Sequence, residues 1–206
     1  MKVTLDIASS DLEKLLNPII AEPRIHLSNM TWNDYESLLL IFNDKPLVRL
    51  SYLEENLEIM TNSPEHEMIK TLIARLIEIY ALEKEIDLYG CGSTTYKKEA
   101  QKRGLEPDES YCIGSRKDIP DLAIEVIITS GSIDKLNIYQ GLQVPEVLFW
   151  REGKFTLYRL INASVGYQES SQSELLSELD FNQLAQYINP AEEPKMVRAY
   201  RQIISG

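Results

Sequence analysis

Cysteine is scarce in this chain, and the two present, Cys91 and Cys112, fit no zinc-ligand spacing and cannot make a disulfide framework. A disulfide-stapled scaffold and a structural zinc domain are therefore excluded. Both thiols are expected to be reduced, small and partly buried. Long apolar runs are also missing, since nothing approaches the roughly 20 apolar residues of a membrane-crossing helix. The opening MKVTLDIASSDLEK lacks the apolar stretch of a secretory signal, so a cytoplasmic protein without membrane contact is expected. Positive charge is short too, with 21 Lys and Arg against 32 Asp and Glu and a net charge of -11. Such a balance argues against holding duplex nucleic acid by bulk electrostatics. Any nucleic-acid contact must come from a local patch, the best being Lys97, Lys98, Lys102 and Arg103, with Arg116 and Lys117 in the next loop. A solvated charged face explains the same cluster more plainly.

What remains is ordinary globular material: 206 residues, 44% hydrophobic and 26% charged, without internal repeat or low-complexity tract. The length suits one substantial core, and a single domain over 1–206 is expected. A short helix is expected over 11–16. Thr31-Trp32-Asn33-Asp34 has the form of a capping box with Asp in place of Glu, opening a helix over 35–42. Residues 47–52 and 56–60 read as a hairpin through Glu54-Glu55. Ser63-Pro64 starts a helix running to about Glu83, with an apolar stripe at Ile69, Leu72, Ile73, Leu76, Ile77 and Tyr80. Continued backwards, the stripe puts Glu65 and His66 on the inward side of the first turn and turns Glu67 away.

Strands are expected over 87–90 and 93–97, then a helix over 133–142 capped by Ser132, with Lys135 in its first turn. Lysine there opposes the helix dipole, so either a nearby acid compensates or the charge is wanted. A second hairpin spans 144–151 and 155–160 around Gly153-Lys154, and two amphipathic helices close the chain over 173–187 and 191–203. The order of elements predicts an α+β, or mixed α/β, domain built on one central mixed β-sheet flanked by helices. Trp32, Trp150 and Tyr139 read as packing residues rather than base-stacking platforms.

The chemistry concentrates in 107–128. Glu125 stands inside the apolar run Leu122-Ala123-Ile124-Glu125-Val126-Ile127-Ile128, and a carboxylate there is costly unless it has a partner or a job. If 111–113 and 122–128 pair antiparallel about the loop between them, Asp108 falls opposite Glu125, Ser110 opposite Ala123 and Cys112 opposite Asp121. Those six share one face, while Tyr111, Ile113, Leu122, Ile124 and Val126 fill the apolar core side. Directly opposed Cβ atoms lie about 5 Å apart, close enough for Asp108 and Glu125 to share a divalent cation, with magnesium the natural candidate. Asp121, roughly 13 Å along the strand from Glu125, is out of reach of the same ion. It stays a further candidate acid, or simply marks where the strand begins. His66 has two readings as well, a site residue or a helix-start side chain bonded to a nearby carbonyl.

Ser63-Pro64-Glu65-His66-Glu67, Arg103 to Tyr111, Pro120-Asp121-Leu122-Ala123-Ile124-Glu125-Val126, Lys135 to Tyr139 and Val144-Pro145-Glu146-Val147 together resemble the Uma-type family of the PD-(D/E)XK nuclease superfamily. The resemblance covers roughly Thr31 to Leu160. It implies a restriction-endonuclease-like core about 31–160, with an N-terminal extension and C-terminal helices. It also implies hydrolysis of DNA phosphodiester bonds with Mg2+ or Mn2+, and a homodimer where both strands are cut. Carried over by residue, the metal-binding acids are Asp108 and Glu125, and the helix-borne acid is Glu65 with His66 beside it. The motif's lysine, two residues after the second acid, is Ile127 here, and Lys135 is the stand-in. A catalytically silent nuclease-fold module that binds nucleic acid or a protein partner is the alternative, and a structural dimerisation domain the third.

Overall fold

The computed structural model of the chain describes residues 9, 22–43, 45, 47–129, 131 and 133–205. The helix expected over 11–16 and the Ser132 cap lie outside them. The chain gathers into two compact units, each assembled from separated stretches: Met1–Ser63, Thr95–Glu106 and Ile128–Leu142 form one, and Pro64–Thr94, Pro107–Ile127 and Gln143–Gly206 form the other.

In the first unit, strands β1 (Arg24–Leu27), β2 (Val48–Leu53), β3 (Asn56–Thr61), β5 (Tyr96–Lys98) and β6 (Arg103–Leu105) make an antiparallel sheet in the order β1-β3-β2-β6-β5. Helix α1 (Trp32–Phe42) carries the expected capping box, the Thr31 side chain accepting from the Asp34 amide and the Asp34 side chain accepting from the Thr31 amide. The β2–β3 turn is Glu54-Glu55, with φ of 43° and 57° at the two residues, the left-handed pair that suits a two-residue hairpin. Aromatic packing fills this core: the Tyr35 and Tyr52 rings stack at 5.0 Å, and Trp32 meets Tyr52 edge-on at 5.5 Å. Helix α3 (Lys135–Leu142) packs on β6 and buries Ile138 and Tyr139.

The second unit holds the mixed sheet, in the order β11-β10-β9-β8-β7-β4, from β4 (Leu88–Gly90), β7 (Glu109–Ile113), β8 (Leu122–Ile127), β9 (Glu146–Arg151), β10 (Lys154–Asn162) and β11 (Gly166–Ser170). Only β8 and β9 run parallel; the other neighbours are antiparallel. Helix α2 (Pro64–Glu83) packs on β8 through the predicted stripe, with Leu72, Ile73, Leu76 and Ile77 all sealed from solvent. Helices α4 (Phe181–Ala185) and α5 (Glu193–Ile204) pack on β10 and α2 respectively. The architecture is α+β.

Three features differ from the sequence reading, each for a local reason. Among the described residues two sheets form rather than one, because Glu106-Pro107 separates β6 from β7: Glu106 is spent on the first unit, accepting from the Leu50 amide and the Thr95 hydroxyl, and a proline cannot donate to a ladder. The helix expected over 173–187 exists only as α4. Ser173 accepts from the Leu175 and Leu176 amides and donates to Glu146, local bonds that compete with helix formation, and Asp180 caps the real start. Helix α3 begins at Lys135 rather than 133, with Asp134 accepting the Asn137 amide at 3.1 Å.

Candidate active site

The β7–β8 register is the expected one, with Glu109 against Ile124, Ser110 against Ala123 and Tyr111 against Leu122. One further step brings Asp108 alongside Glu125. There the ladder ends, and the Asp108 carboxylate takes over an amide it leaves behind: the Val126 amide donates to Oδ2 at 2.7 Å. The other oxygen, Oδ1, lies 2.9 Å from His66 Nε2. Asp108, Glu125 and His66 are 1%, 0% and 0% exposed. The carboxylates do not line a bare surface opposite the core, as alternation alone suggests. Ala123, Glu125, Leu122, Ile124 and Val126 are all buried, the pattern of a central strand covered on both faces.

The helical phase of α2 is right for His66 and wrong for Glu65. His66 is buried, Glu65 is exposed, and Glu67 turns to Lys70, 2.6 Å away. Periodicity gives a direction, not a cover: Ile69, at the centre of the stripe, is itself only half-buried. In the first turn the cover reaches His66 and not Glu65, and an uncovered carboxylate stays in water.

Asp121 is a loop latch. Its carboxylate accepts the Ile113 amide at 2.8 Å and both oxygens take Lys117 Nζ, at 2.7 and 2.6 Å. Lys135 belongs to the first unit, at the head of α3, where Asp134 is the compensating acid the helix dipole calls for. Half of the basic cluster is answered locally, Lys97 by Glu36, Arg103 by Glu54 and Lys117 by Asp121. Trp32, Trp150 and Tyr139 are buried packing residues.

Residues 32–189 match the family described as Uma2, "Putative restriction endonuclease". The chain belongs to this family. With it come the restriction-endonuclease-like fold and membership of the PD-(D/E)XK superfamily, and the description points to a nuclease. No curated protein matches the chain.

Asp108 and Glu125 both fall in the second unit, together with His66. Among the described residues no group of three or more His, Cys, Asp or Glu side chains gathers as a metal cluster. Magnesium commonly takes only one or two carboxylates and completes its shell with water and substrate phosphate. Two carboxylate groups, as oxygen donors, fit a hard divalent cation in their chemistry.

Two neighbours of the site escape sequence reasoning. Glu109 follows Asp108 in β7 and accepts the Ser110 amide at 3.1 Å. Burial raises its carboxyl above the usual glutamate range, opposed by the Ser110 amide and Lys70. The Tyr111 hydroxyl donates to Glu78 at 3.2 Å, and burial, then Glu109 and Glu78, push its ionisation far upward. Alternation turns Tyr111 to the core side but gives no sign of either contact. No described helix is long and apolar enough to cross a membrane.

Proposed function

We propose that this Uma2 chain is a divalent-metal-dependent endonuclease that hydrolyses DNA phosphodiester bonds at Asp108 and Glu125. The observation that carries the reading is the Asp108 carboxylate, buried and gripped by the Val126 amide and His66 at the end of the strand pair that holds Glu125. A group so confined keeps one orientation without reorganising at the moment of reaction.

Magnesium or manganese bound by the two acids would supply polarisation of the phosphodiester, charge for the leaving oxygen and a more acidic bound water. The rest falls to the chain. Val126 and His66 hold Asp108, and Glu125 stands buried in β8. On the family resemblance Lys135 is the stand-in for the ammonium that Ile127 cannot supply, which would orient the attacking water or neutralise charge on the phosphorane. Glu65, exposed on α2, is available to water or substrate rather than to the buried pair. Cutting both strands would take two such sites, and hence two copies of the chain.

Supercoiled plasmid incubated with Mg2+ or Mn2+ tests this. Wild type is expected to nick it, and D108A and E125A are each expected to lose about a hundredfold or more in rate. Nicking that survives both substitutions belongs to another protein or another site. Titration calorimetry with Mn2+ tests the metal without a substrate: wild type should release heat that the double variant does not.

One observation favours a second reading, a silent nuclease-fold module that binds nucleic acid or a protein partner. Ile127 stands where the motif has lysine. On that reading wild type binds DNA or a partner and nicks nothing.

A further inference from the structure

β4 and β7 pair with Tyr89 against Cys112 and Gly90 against Tyr111, and the Cys91 amide donates to the Ser110 carbonyl at 2.8 Å. Cys91 therefore follows two residues after the partner of Cys112 and shares its face, a diagonal neighbour across the strands. The two Sγ atoms lie 3.5 Å apart. Both thiols are free; Cys112 is buried and Cys91 half-buried. Hydrolysis of a phosphodiester uses neither. Two cysteines in 206 residues, distant in sequence, meet sulfur to sulfur.

We propose that Cys91 and Cys112 form a reversible oxidation site, closing to an intramolecular disulfide on exposure to a peroxide or a low-molecular-weight disulfide. Cys91 is the attacking thiol because solvent reaches it, and thiolate character with access governs such attack. Burial pushes the Cys112 thiol up, and its hydrogen-bond contact with Cys91 pushes it further. With peroxide, the Cys91 thiolate attacks one oxygen, the O–O bond breaks, and the departing hydroxide takes a proton to become water, leaving a sulfenic acid. Cys112 then attacks that sulfur, the S–O bond breaks, and a second water leaves. Two thiols are oxidised and one peroxide is reduced to two waters. With a small disulfide, Cys91 first forms the mixed disulfide, and Cys112 expels the second small thiol.

The sulfurs need close only from 3.5 Å to about 2.05 Å. The bond would tie the turn after β4 to β7 on the strand that leads back to Asp108, next to a link already present: the Ser110 hydroxyl donates to the Gly92 carbonyl at 2.7 Å.

The full chain, purified reduced, is exposed in native buffer to hydrogen peroxide or oxidised glutathione and followed by intact mass, thiol titration after denaturation, and non-reduced digestion. Expected are loss of both thiols, a mass lower by two hydrogens, a Cys91–Cys112-linked peptide, and full reversal by dithiothreitol. The variant C112S should instead accumulate a Cys91 sulfenic acid, captured by dimedone, or a stable glutathione adduct. Retention of both thiols in native wild type overturns the proposal. So does an end state of glutathione adducts or chain-to-chain dimers like that of C112S. The wild-type measurement decides even if a variant fails to fold.

Discussion

His66 Nε2 and Asp108 Oδ1 stand 2.9 Å apart with both side chains sealed from solvent. The contact joins the first turn of α2 to the segment entering β7, and with the Val126 amide it helps to make a buried carboxylate tolerable there. Removing one member takes a close buried partner from the other. His66→Ala is therefore predicted to cost about 3 kcal/mol, read from urea unfolding at unchanged m-value, with His66→Gln recovering part of it. A variant as stable as wild type would show that the contact contributes nothing to holding Asp108.

Asp121 separates structural from chemical acids. Asp121→Ala leaves the Ile113 amide without its side-chain acceptor and Lys117 without its acid, and should cost about 1–2 kcal/mol. Plasmid nicking, if the chain nicks, should stay within a few-fold of wild type. A loss as deep as that of D108A would move Asp121 into the site.

Gly104 is fixed by a ring. A Cβ built there would sit 2.5 Å from the Tyr35 hydroxyl oxygen and 2.7 Å from a ring carbon, and that ring is stacked on Tyr52. Gly104→Ala is predicted to destabilise by about 2 kcal/mol or more through overpacking, visible as a lowered melting temperature. No change would mean that the aromatic cluster gives way freely.

The Thr31–Asp34 capping box carries a pH signature. Hydrogen bonds from the Thr31 hydroxyl and then its amide hold the Asp34 carboxyl below the usual aspartate range. A lowered folded-state value means stability that is present above the unfolded value, about 4, and lost as pH falls through the folded one. In Asp34→Asn this acid-dependent loss should vanish from stability curves measured between about pH 5 and pH 2. An unchanged acid limb would sink the assignment.

Ile127→Lys puts the motif's ammonium back beside Glu125. If Lys135 is a weaker stand-in, the variant should nick plasmid about tenfold faster than wild type or better, and Lys135→Ala should be rescued by it. A rate unaffected by either change removes the lysine role from both positions.

Much of the second unit's strand pair was legible because its signals are local. Turn length and alternation set the register around Ser110 and Ala123, and Thr31 through Asp34 announced a helix start that four residues suffice to specify. The same locality misled at 173–187, where an amphipathic pattern was overruled by the Ser173 hydroxyl capping two amides and bonding Glu146. Glu65 failed for a related cause: helical phase tells which way a side chain points, and only the packed sheet tells how far the cover extends. β1, β6 and β11, of 4, 3 and 5 residues, left no periodic trace long enough to read.

By itself, the chain's order of residues determined the strand carrying Glu125, the neighbour it meets in Asp108's segment and the face of α2 that turns inward. Those follow from backbone periods of 2 and 3.6 residues, which act over short stretches. Only the folded structure decided that both faces of β8 are covered, that His66 closes on Asp108, that Asp121 is spent on its own loop, and that two cysteines touch. Burial and side-chain pairing depend on which distant segments come to lie together, and no short-range pattern records that.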